Sequence, residues 1–169
     1  MILVTVGTEQ YGFDRLMSWI TILMRHGLIQ EQVIVQYGAS KRLPSNAIVH
    51  KTVPIDRFTD LIQQARLVIS HCGEGSLFML EEIGTPYILV PRSVRFQEHV
   101  DDHQVELAIA LSSIGIGIAW SPGDLVRFIT AAELIESKPF SMDSAQALCY
   151  QLSLDSERFA SAQLSKSAA

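Results

Sequence analysis

The chain has 169 residues, of which 48% are hydrophobic, and 18 acidic against 13 basic side chains give it a formal net charge of −5. This length predicts one domain with a sizeable core, and this composition argues against a disordered chain. Because proteins bind nucleic acid through clustered basic side chains, we expect no nucleic-acid partner for this acidic chain.

Strand-like and helix-like patterns alternate along the sequence. Short β-branched runs predict strands, and apolar residues at helical spacing between glycine or proline breaks predict helices. In chain order we predict a strand at 2–6, a helix at 13–24, strands at 32–37 and 47–50, a helix at 54–64, a strand at 67–70, a helix from about 76 to 84, a strand at 87–90, a helix ending near 111, a strand at 114–119 and helices at 122–136 and 143–160.

This alternation predicts an α/β fold, with a Rossmann-like, mostly parallel sheet and helices on both faces. We expect a single domain over residues 1–160, followed by a frayed polar tail at 161–169. The N-terminal sequence has no basic segment or cleavage site, and the longest uncharged run, 107–120, falls short of the about 20 residues that span a bilayer. Cys72 and Cys149 form no CxxC pair, which favours reduced thiols in a cytoplasmic protein.

The segment GEGS, residues 73–76, lies where a predicted strand passes into a helix. Gly73 and Gly75 would expose backbone N–H groups, and a helix N-terminus adds positive partial charge, so the segment suits a phosphate. Ser76 would cap the helix or donate its hydroxyl to a phosphoryl oxygen; an ordinary capped turn explains the same residues. Neither GxxxxGK[ST] nor GxGxxG after the first strand is present, which disfavours a P-loop ATPase or a dinucleotide dehydrogenase.

Two further segments fall at the carboxyl ends of predicted strands, where open α/β sheets bind ligands. Gly7 and Thr8 follow the first strand and would lie beside GEGS if the two strands are neighbours. His103 and Gln104 lie in the first turn of a later helix, where an amide suits sugar hydroxyls, although polar capping is the alternative. Arg92, just before this region, would pair with a diphosphate or would be solvated surface charge.

The sequence contains no convincing metal-binding or nucleophile motif. His99 and His103 are four residues apart, but no third ligand is evident and no Asp-x-Asp is present, so we expect no metal site and no cofactor. There is no GxSxG, and His71 and Cys72 would face opposite sides of a strand, which disfavours a hydrolase.

The ordered set VTVGT, SHCGEGS, GTP, VPR and DDHQVELA resembles the C-terminal domain of glycosyltransferase family 28, over roughly residues 1–130. More closely, it resembles the small soluble subunit of two-part glycosyltransferases, and VPR with EHVDDHQ is similar to their bacterial polysaccharide branch. The resemblance implies the donor-binding lobe of a GT-B enzyme that holds a UDP-sugar. It implies that Gly73, Glu74, Gly75 and Ser76 meet the diphosphate with Gly7 and Thr8, and that Asp102, His103 and Gln104 meet the donor sugar and nearby phosphate.

The resemblance departs from the family at one position and leaves the catalytic base open. Relatives carry a ribose-binding glutamate three residues after the GS pair, where this chain has Met79. The catalytic residue is unknown; His71 is a candidate, although a structural role at the strand end also accounts for it. The family implies a lipid-linked saccharide acceptor and a membrane-anchored acceptor subunit, which would hold this chain at the inner face of the membrane.

Three functional hypotheses follow. The first is the donor-binding catalytic subunit of an inverting, metal-independent, UDP-sugar-dependent transferase. The second is a non-enzymatic subunit that enhances or stabilises a catalytic partner, which Met79 favours. The third, an epimerase-like enzyme, is disfavoured by the missing dinucleotide motif.

Overall fold

The computed structural model describes residues 1–131, and within them five parallel strands form one sheet. The strands are β1 (Ile2–Thr5), β2 (Val33–Gln36), β3 (Ile48–His50), β4 (Leu67–His71) and β5 (Tyr87–Val90). Their order is β3-β2-β1-β4-β5, and every pairing is parallel. The predicted α/β fold with a parallel sheet is therefore confirmed.

Helices cover both faces of the sheet. Within residues 1–131 they are α1 (Asp14–Arg25), α2 (Ile55–Gln64), α3 (Glu74–Ile83), α4 (His103–Ser113) and α5 (Pro122–Thr130), with a 3-10 turn at Val94–Phe96. Helices α1 and α5 pack in one buried apolar cluster, and α2, α3 and α4 pack in the other. Alternate strand residues enter opposite clusters, as Val4 and Leu3 do, because neighbours on a strand face opposite sides.

The order in which strands are added to the sheet switches from one side of β1 to the other. From β1 the chain runs outward through β2 and β3, and it then returns to add β4 and β5 on the other side of β1. The loops that follow β1 and β4 therefore diverge and leave a crevice at the carboxyl ends of these two neighbours. The pairing of Val4 with Ile69 confirms that the segment after β1 lies beside GEGS.

Two elements differ from the sequence prediction. The predicted strand at 114–119 is reduced to one parallel bridge between Leu89 and Ile118. Gly115 has a φ of +92°, which is incompatible with extended strand, and the two glycines of this segment provide no side chains that favour one. Helix α3 begins at Glu74, so Gly73 is the residue that precedes it and Ser76 lies inside its first turn instead of capping it.

Several sequence predictions extend beyond the part of the chain that the structure describes. Helix α5 is described to Thr130, and the predicted continuation to 136, the helix at 143–160 and the tail at 161–169 lie outside it. The domain boundary at residue 160 therefore stays a prediction. No helix within residues 1–131 combines the length and the apolar character needed to cross a bilayer.

Candidate functional site

A cleft of about 710 Å³ opens at the crevice between the loops after β1 and β4. Eight of the ten residues predicted to bind substrate line it: Gly7, Thr8, Gly73, Glu74, Gly75, Ser76, His103 and Gln104. His71 also lines the cleft. Arg92 and Asp102 are not among the lining residues. The fold thus brings together segments that are nearly 100 positions apart in the sequence.

The imidazole of His71 forms part of the wall of the cleft between two glycines. A Cβ atom added to Gly7 would lie 2.7 Å from His71 Nε2, and one added to Gly73 would lie closer still. Real Cβ atoms do not approach other atoms this closely, so a side chain at either position would have to displace the His71 ring. Gly7 also has a φ of +75°, which side chains rarely adopt. The backbone therefore passes beside the His71 ring at both glycines, one after β1 and one after β4.

Burial keeps His71 neutral. Loss of solvent, followed by the charges of Arg92 and His99, lowers the pKa of His71 from 6.5 to about 3. A group with so low a pKa is a weak base at neutral pH, so His71 is poorly suited to take a proton from an acceptor hydroxyl. Its neutral ring suits a hydrogen bond to a bound group.

The first turn of α3 presents an anion-binding backbone. Leu77 N donates to Gly73 O, and the N–H groups that precede it have no partner within the helix. The helix contributes positive partial charge at the same end. Ser76 is half-buried and lines the cleft in this turn, where its hydroxyl is available to a ligand.

Gln104 is held at the base of the cleft by the backbone of the β5 exit. Its Oε1 accepts a hydrogen bond from Arg92 N at 3.2 Å, and its side chain is almost fully buried while still lining the cleft. In this orientation the amide N–H₂ group is the part left for a ligand. Gln104 and Leu107 are buried on the inner side of α4, whereas Val100 precedes the helix and is exposed.

The position of Arg92 corrects its predicted contact with a diphosphate. The side chain is completely buried, and Nη1 donates to Tyr11 O at 2.9 Å and Glu98 O at 3.1 Å, while Nη2 donates to Val6 O. Burial lowers the pKa of this guanidinium to about 10, and the group stacks 4.9 Å over the Phe13 ring. Arg92 therefore ties the loop after β1 to the loop after β5 and does not reach the cleft.

Asp102 likewise fastens a loop. Its Oδ1 accepts from Ser93 Oγ and from Val94 N, both at 2.9 Å. These bonds close the segment between β5 and α4, so the predicted contact of Asp102 with the donor is not supported by its position. Asp102 instead fixes where α4, with His103 and Gln104, begins.

Sequence reasoning missed the apolar wall of the cleft and the ion pair behind it. Val53, Ile55, Phe58 and Met79 line one side, which gives the cleft a surface for a flat ring. The available signal was Pro54, which immediately precedes α2 and marks the start of that helix at the same edge of the sheet. Behind the cleft, Arg15 makes a bidentate pair with buried Glu98, at 2.9 and 2.8 Å, which no sequence pattern indicated.

Cys72 lies beside the site without taking part in it. The thiol is buried, and loss of solvent raises its pKa to about 12. A thiol that stays protonated is a poor nucleophile, which agrees with the sequence argument against a hydrolase.

Comparison with known proteins decides the family. The model of the glycosyltransferase family 28 C-terminal domain matches residues 1–161. The chain belongs to this family. Two curated relatives are named UDP-N-acetylglucosamine--N-acetylmuramyl-(pentapeptide) pyrophosphoryl-undecaprenol N-acetylglucosamine transferase. The protein from Synechococcus sp. (strain RCC307) is 43% identical over 58 residues, and the one from Nostoc sp. (strain PCC 7120 / SAG 25.82 / UTEX 2576) is 32% identical over 87 residues.

These matches span 34% and 52% of this family 28 chain but only 15% and 22% of the two relatives. Among solved structures, the glycosyltransferase SnogD from Streptomyces nogalater has a TM-score of 0.54 at 17% identity, covering 90% of this chain and 39% of that one. MurG from Acinetobacter baumannii has a TM-score of 0.52 at 19% identity, covering 79% and 42%. These likenesses show that the fold is the one found in glycosyltransferase C-terminal lobes.

Proposed function

We propose that this chain is the donor-binding catalytic subunit of an inverting glycosyltransferase. In this proposal it moves a hexosyl group from a UDP-sugar to a lipid-linked saccharide in polysaccharide biosynthesis. The observation that carries the proposal is a single cleft that joins the α3 N-terminus, the glycine-framed His71 and the amide of Gln104. Family membership and the names of the curated relatives, which state a transfer involving UDP-N-acetylglucosamine, support the reaction class.

Each part of a UDP-sugar has a matching surface in the cleft. The diphosphate would lie on the N–H groups of the first turn of α3, with the Ser76 hydroxyl and the neutral His71 ring as further donors. The base would lie against the apolar side formed by Val53, Ile55, Phe58 and Met79. The sugar would then fall near His103 and Gln104, where an amide can bind hydroxyl groups.

Transfer without a metal ion is part of the proposal. When the glycosidic bond breaks, negative charge develops on the leaving diphosphate. Backbone N–H groups and the helix dipole are already oriented towards that charge, so they stabilise the transition state more than the ground state. Met79 stands where relatives have the ribose-binding glutamate, so ribose would be held by van der Waals contact at this position.

The acceptor and its base are proposed to come from a second, membrane-associated protein. Among the described residues that line the cleft, His71 is too weak a base, and the two carboxylates, Glu9 and Glu74, are both exposed. Ile55 and Val100, which border the cleft, are exposed by 61% and 65%, as an apolar docking surface would be. Binding to that partner would place the chain at the cytoplasmic face of the membrane.

The alternative is a non-enzymatic subunit that enhances a catalytic partner. The substitution of Met79 for the ribose-binding glutamate of relatives is the observation that favours it. The two proposals differ in one measurable property, because only the donor-binding subunit needs to bind UDP itself.

Calorimetric titration of the purified chain with UDP and a panel of UDP-sugars, with and without Mg²⁺, tests the proposal. We expect UDP to bind without metal, and Ser76→Ala to weaken it about tenfold or more, the effect of losing a hydrogen bond to a charged ligand. Gln104→Ala should weaken the binding of a UDP-sugar. Ser112→Ala, exposed at the end of α4, is the matched control. Absence of UDP binding, together with pair activity that survives Gln104→Ala in a membrane reconstitution, would establish the non-enzymatic subunit instead.

A further inference from the structure

A cluster of metal-ligating side chains lies in the segment that leads into α4. The side chains of His99, Asp101 and His103 each offer one ligand atom, and all three atoms lie within 4.8 Å of one another. His99 Nδ1 is 3.0 Å from Asp101 Oδ1, and His103 Nδ1 contacts the same oxygen. The sequence showed the two histidines but no third ligand; the turn between them supplies Asp101.

The cluster is partly organised before any ion binds. The His99 side chain is only 9% exposed, and its ring packs against that of Tyr11 with centroids 5.9 Å apart. The rings of His99 and His103 meet edge to face at 4.6 Å. Side chains that are already held near one another lose less conformational entropy when they coordinate an ion.

The ligand set selects the kind of ion. Two imidazole nitrogens and one carboxylate oxygen, with a fourth position open to water, form a common open zinc site. Mg²⁺ and Ca²⁺ favour oxygen ligands throughout, so a set with two imidazoles disfavours them.

We propose that His99, Asp101 and His103 bind one Zn²⁺ ion beside the cleft, and that this ion excludes the sugar of the donor UDP-sugar. His99 and His103 line the cleft together with Gln104, so an ion held by them occupies the space beside the proposed sugar position. With Nδ1 on the ion, the His103 ring is held at the cluster and is no longer free to turn that nitrogen towards the donor. The exclusion rests on the proposed function, whereas the metal site does not, and the ion takes no part in transfer.

Titration of the chelator-treated full chain with Co²⁺, followed by displacement with Zn²⁺, tests the site. Co²⁺ in a tetrahedral site of nitrogen and oxygen ligands absorbs visible light far more strongly than hydrated Co²⁺ does. We expect one Co²⁺ per chain, full displacement by Zn²⁺, and at least tenfold weaker binding in Asp101→Asn and in His103→Asn. Because the Asp101 side chain is exposed, Asp101→Asn should fold normally, which circular dichroism will verify.

The control is His26→Asn, which removes an exposed histidine at the end of α1. It should leave Co²⁺ binding unchanged. Binding that Asp101→Asn does not weaken, or that His26→Asn weakens equally, would show adventitious surface coordination and overturn the site.

A titration with the UDP-sugar that binds most tightly, with and without Zn²⁺, tests exclusion. We expect Zn²⁺ to weaken its binding at least tenfold in the wild-type chain but not in Asp101→Asn, which also controls for capture of Zn²⁺ by the free nucleotide. Equal affinity for this UDP-sugar with and without Zn²⁺ in the wild type would overturn exclusion. Failure of UDP to bind under any condition, with Co²⁺ bound as expected, would overturn the proposed function and leave the metal site standing.

Discussion

The imidazole of His71 determines which backbone can surround it. Gly7 and Gly73 follow two different strands, and both lie so close to the ring that an added Cβ atom would displace it. A sequence pattern of glycine at a strand end is usually assigned to a phosphate. Here the same glycines first make room for a buried ring, and the phosphate-binding geometry follows from that packing.

Gly73→Ala should therefore disturb the site through His71. The added methyl group overlaps the ring, so we expect the free energy of unfolding to fall by about 1–3 kcal/mol and UDP binding to weaken, measured by urea unfolding and calorimetry. Gly75→Ala is the matched control for stability, because a Cβ there has nothing within 4 Å and lies in helix. Its stability should stay equal or rise by up to about 1 kcal/mol. Equal stability of Gly73→Ala and wild type would contradict the steric argument.

The buried neutral state of His71 also predicts how stability depends on pH. Its folded pKa of about 3 lies below the unfolded value near 6.5, so between these values the unfolded chain binds more protons. Stability from this group is complete above about pH 6.5 and is lost as the pH falls towards 3, by at most about 1.4 kcal/mol per pH unit.

Urea unfolding of wild type and His71→Gln at several pH values from 7 down to about 4.5 measures this dependence. Glutamine keeps polar atoms but does not titrate, so the difference between the two slopes isolates His71 from Glu31 and Asp101, whose lowered carboxyl pKa values act in both proteins. Parallel slopes would mean that the pKa of His71 is not lowered in the folded chain.

At the scale of elements, Arg92 connects two loops that the hydrogen bonds of the sheet do not connect. Strands β1 and β5 are not adjacent in the sheet. The buried guanidinium joins the loops that follow them by donating to backbone carbonyls of both loops. The Arg15–Glu98 pair adds a second connection between α1 and the same loop. These bonds fix the position of the loop after β1 relative to the cleft.

Replacement of this guanidinium should open the loops. Arg92→Met keeps much of the buried volume but leaves several backbone carbonyls without a donor, so we expect a loss of at least about 3 kcal/mol in urea unfolding. Hydrogen exchange should rise in the segments around Tyr11 and Glu98. Arg95→Met, three residues away and exposed, is the control and should change stability by less than about 0.5 kcal/mol. Equal effects of the two variants would show that the buried contacts contribute nothing.

The sequence predicted most elements because their patterns are local. The strand at Leu67–His71 and the helix after it follow directly from β-branched runs and a glycine break. Arg92 was not predictable as a buried residue, because arginine is usually at the surface and its partners here are backbone atoms far along the chain. Asp101 was missed as a third ligand because the turn after Gln97, which has a φ of 57°, has no clear sequence signal. The strand at 114–119 was overpredicted because apolar content outweighed its glycines.

At the scale of the whole molecule, the described residues offer a surface for the donor of the proposed reaction but none for its acceptor. The cleft opens towards exposed apolar side chains, and α3, which supplies its anion-binding turn, also carries Phe78 with 66% of its surface exposed. An exposed aromatic residue beside a cleft is a typical centre of a protein interface. These exposed apolar side chains support the proposal that a partner docks near the cleft.

Phe78→Ser should separate donor binding from transfer. Because Phe78 does not line the cleft, we expect unchanged stability and unchanged UDP affinity, but at least a tenfold fall in transfer when the chain is limiting in a membrane reconstitution, as for an interface residue worth more than about 1.4 kcal/mol. Ile22→Ser, an exposed apolar change on α1 across the sheet, is the matched control and should leave transfer unaffected. Transfer that Phe78→Ser leaves intact would place the docking surface elsewhere, and weakened UDP binding would mean that the aromatic ring supports the donor site itself.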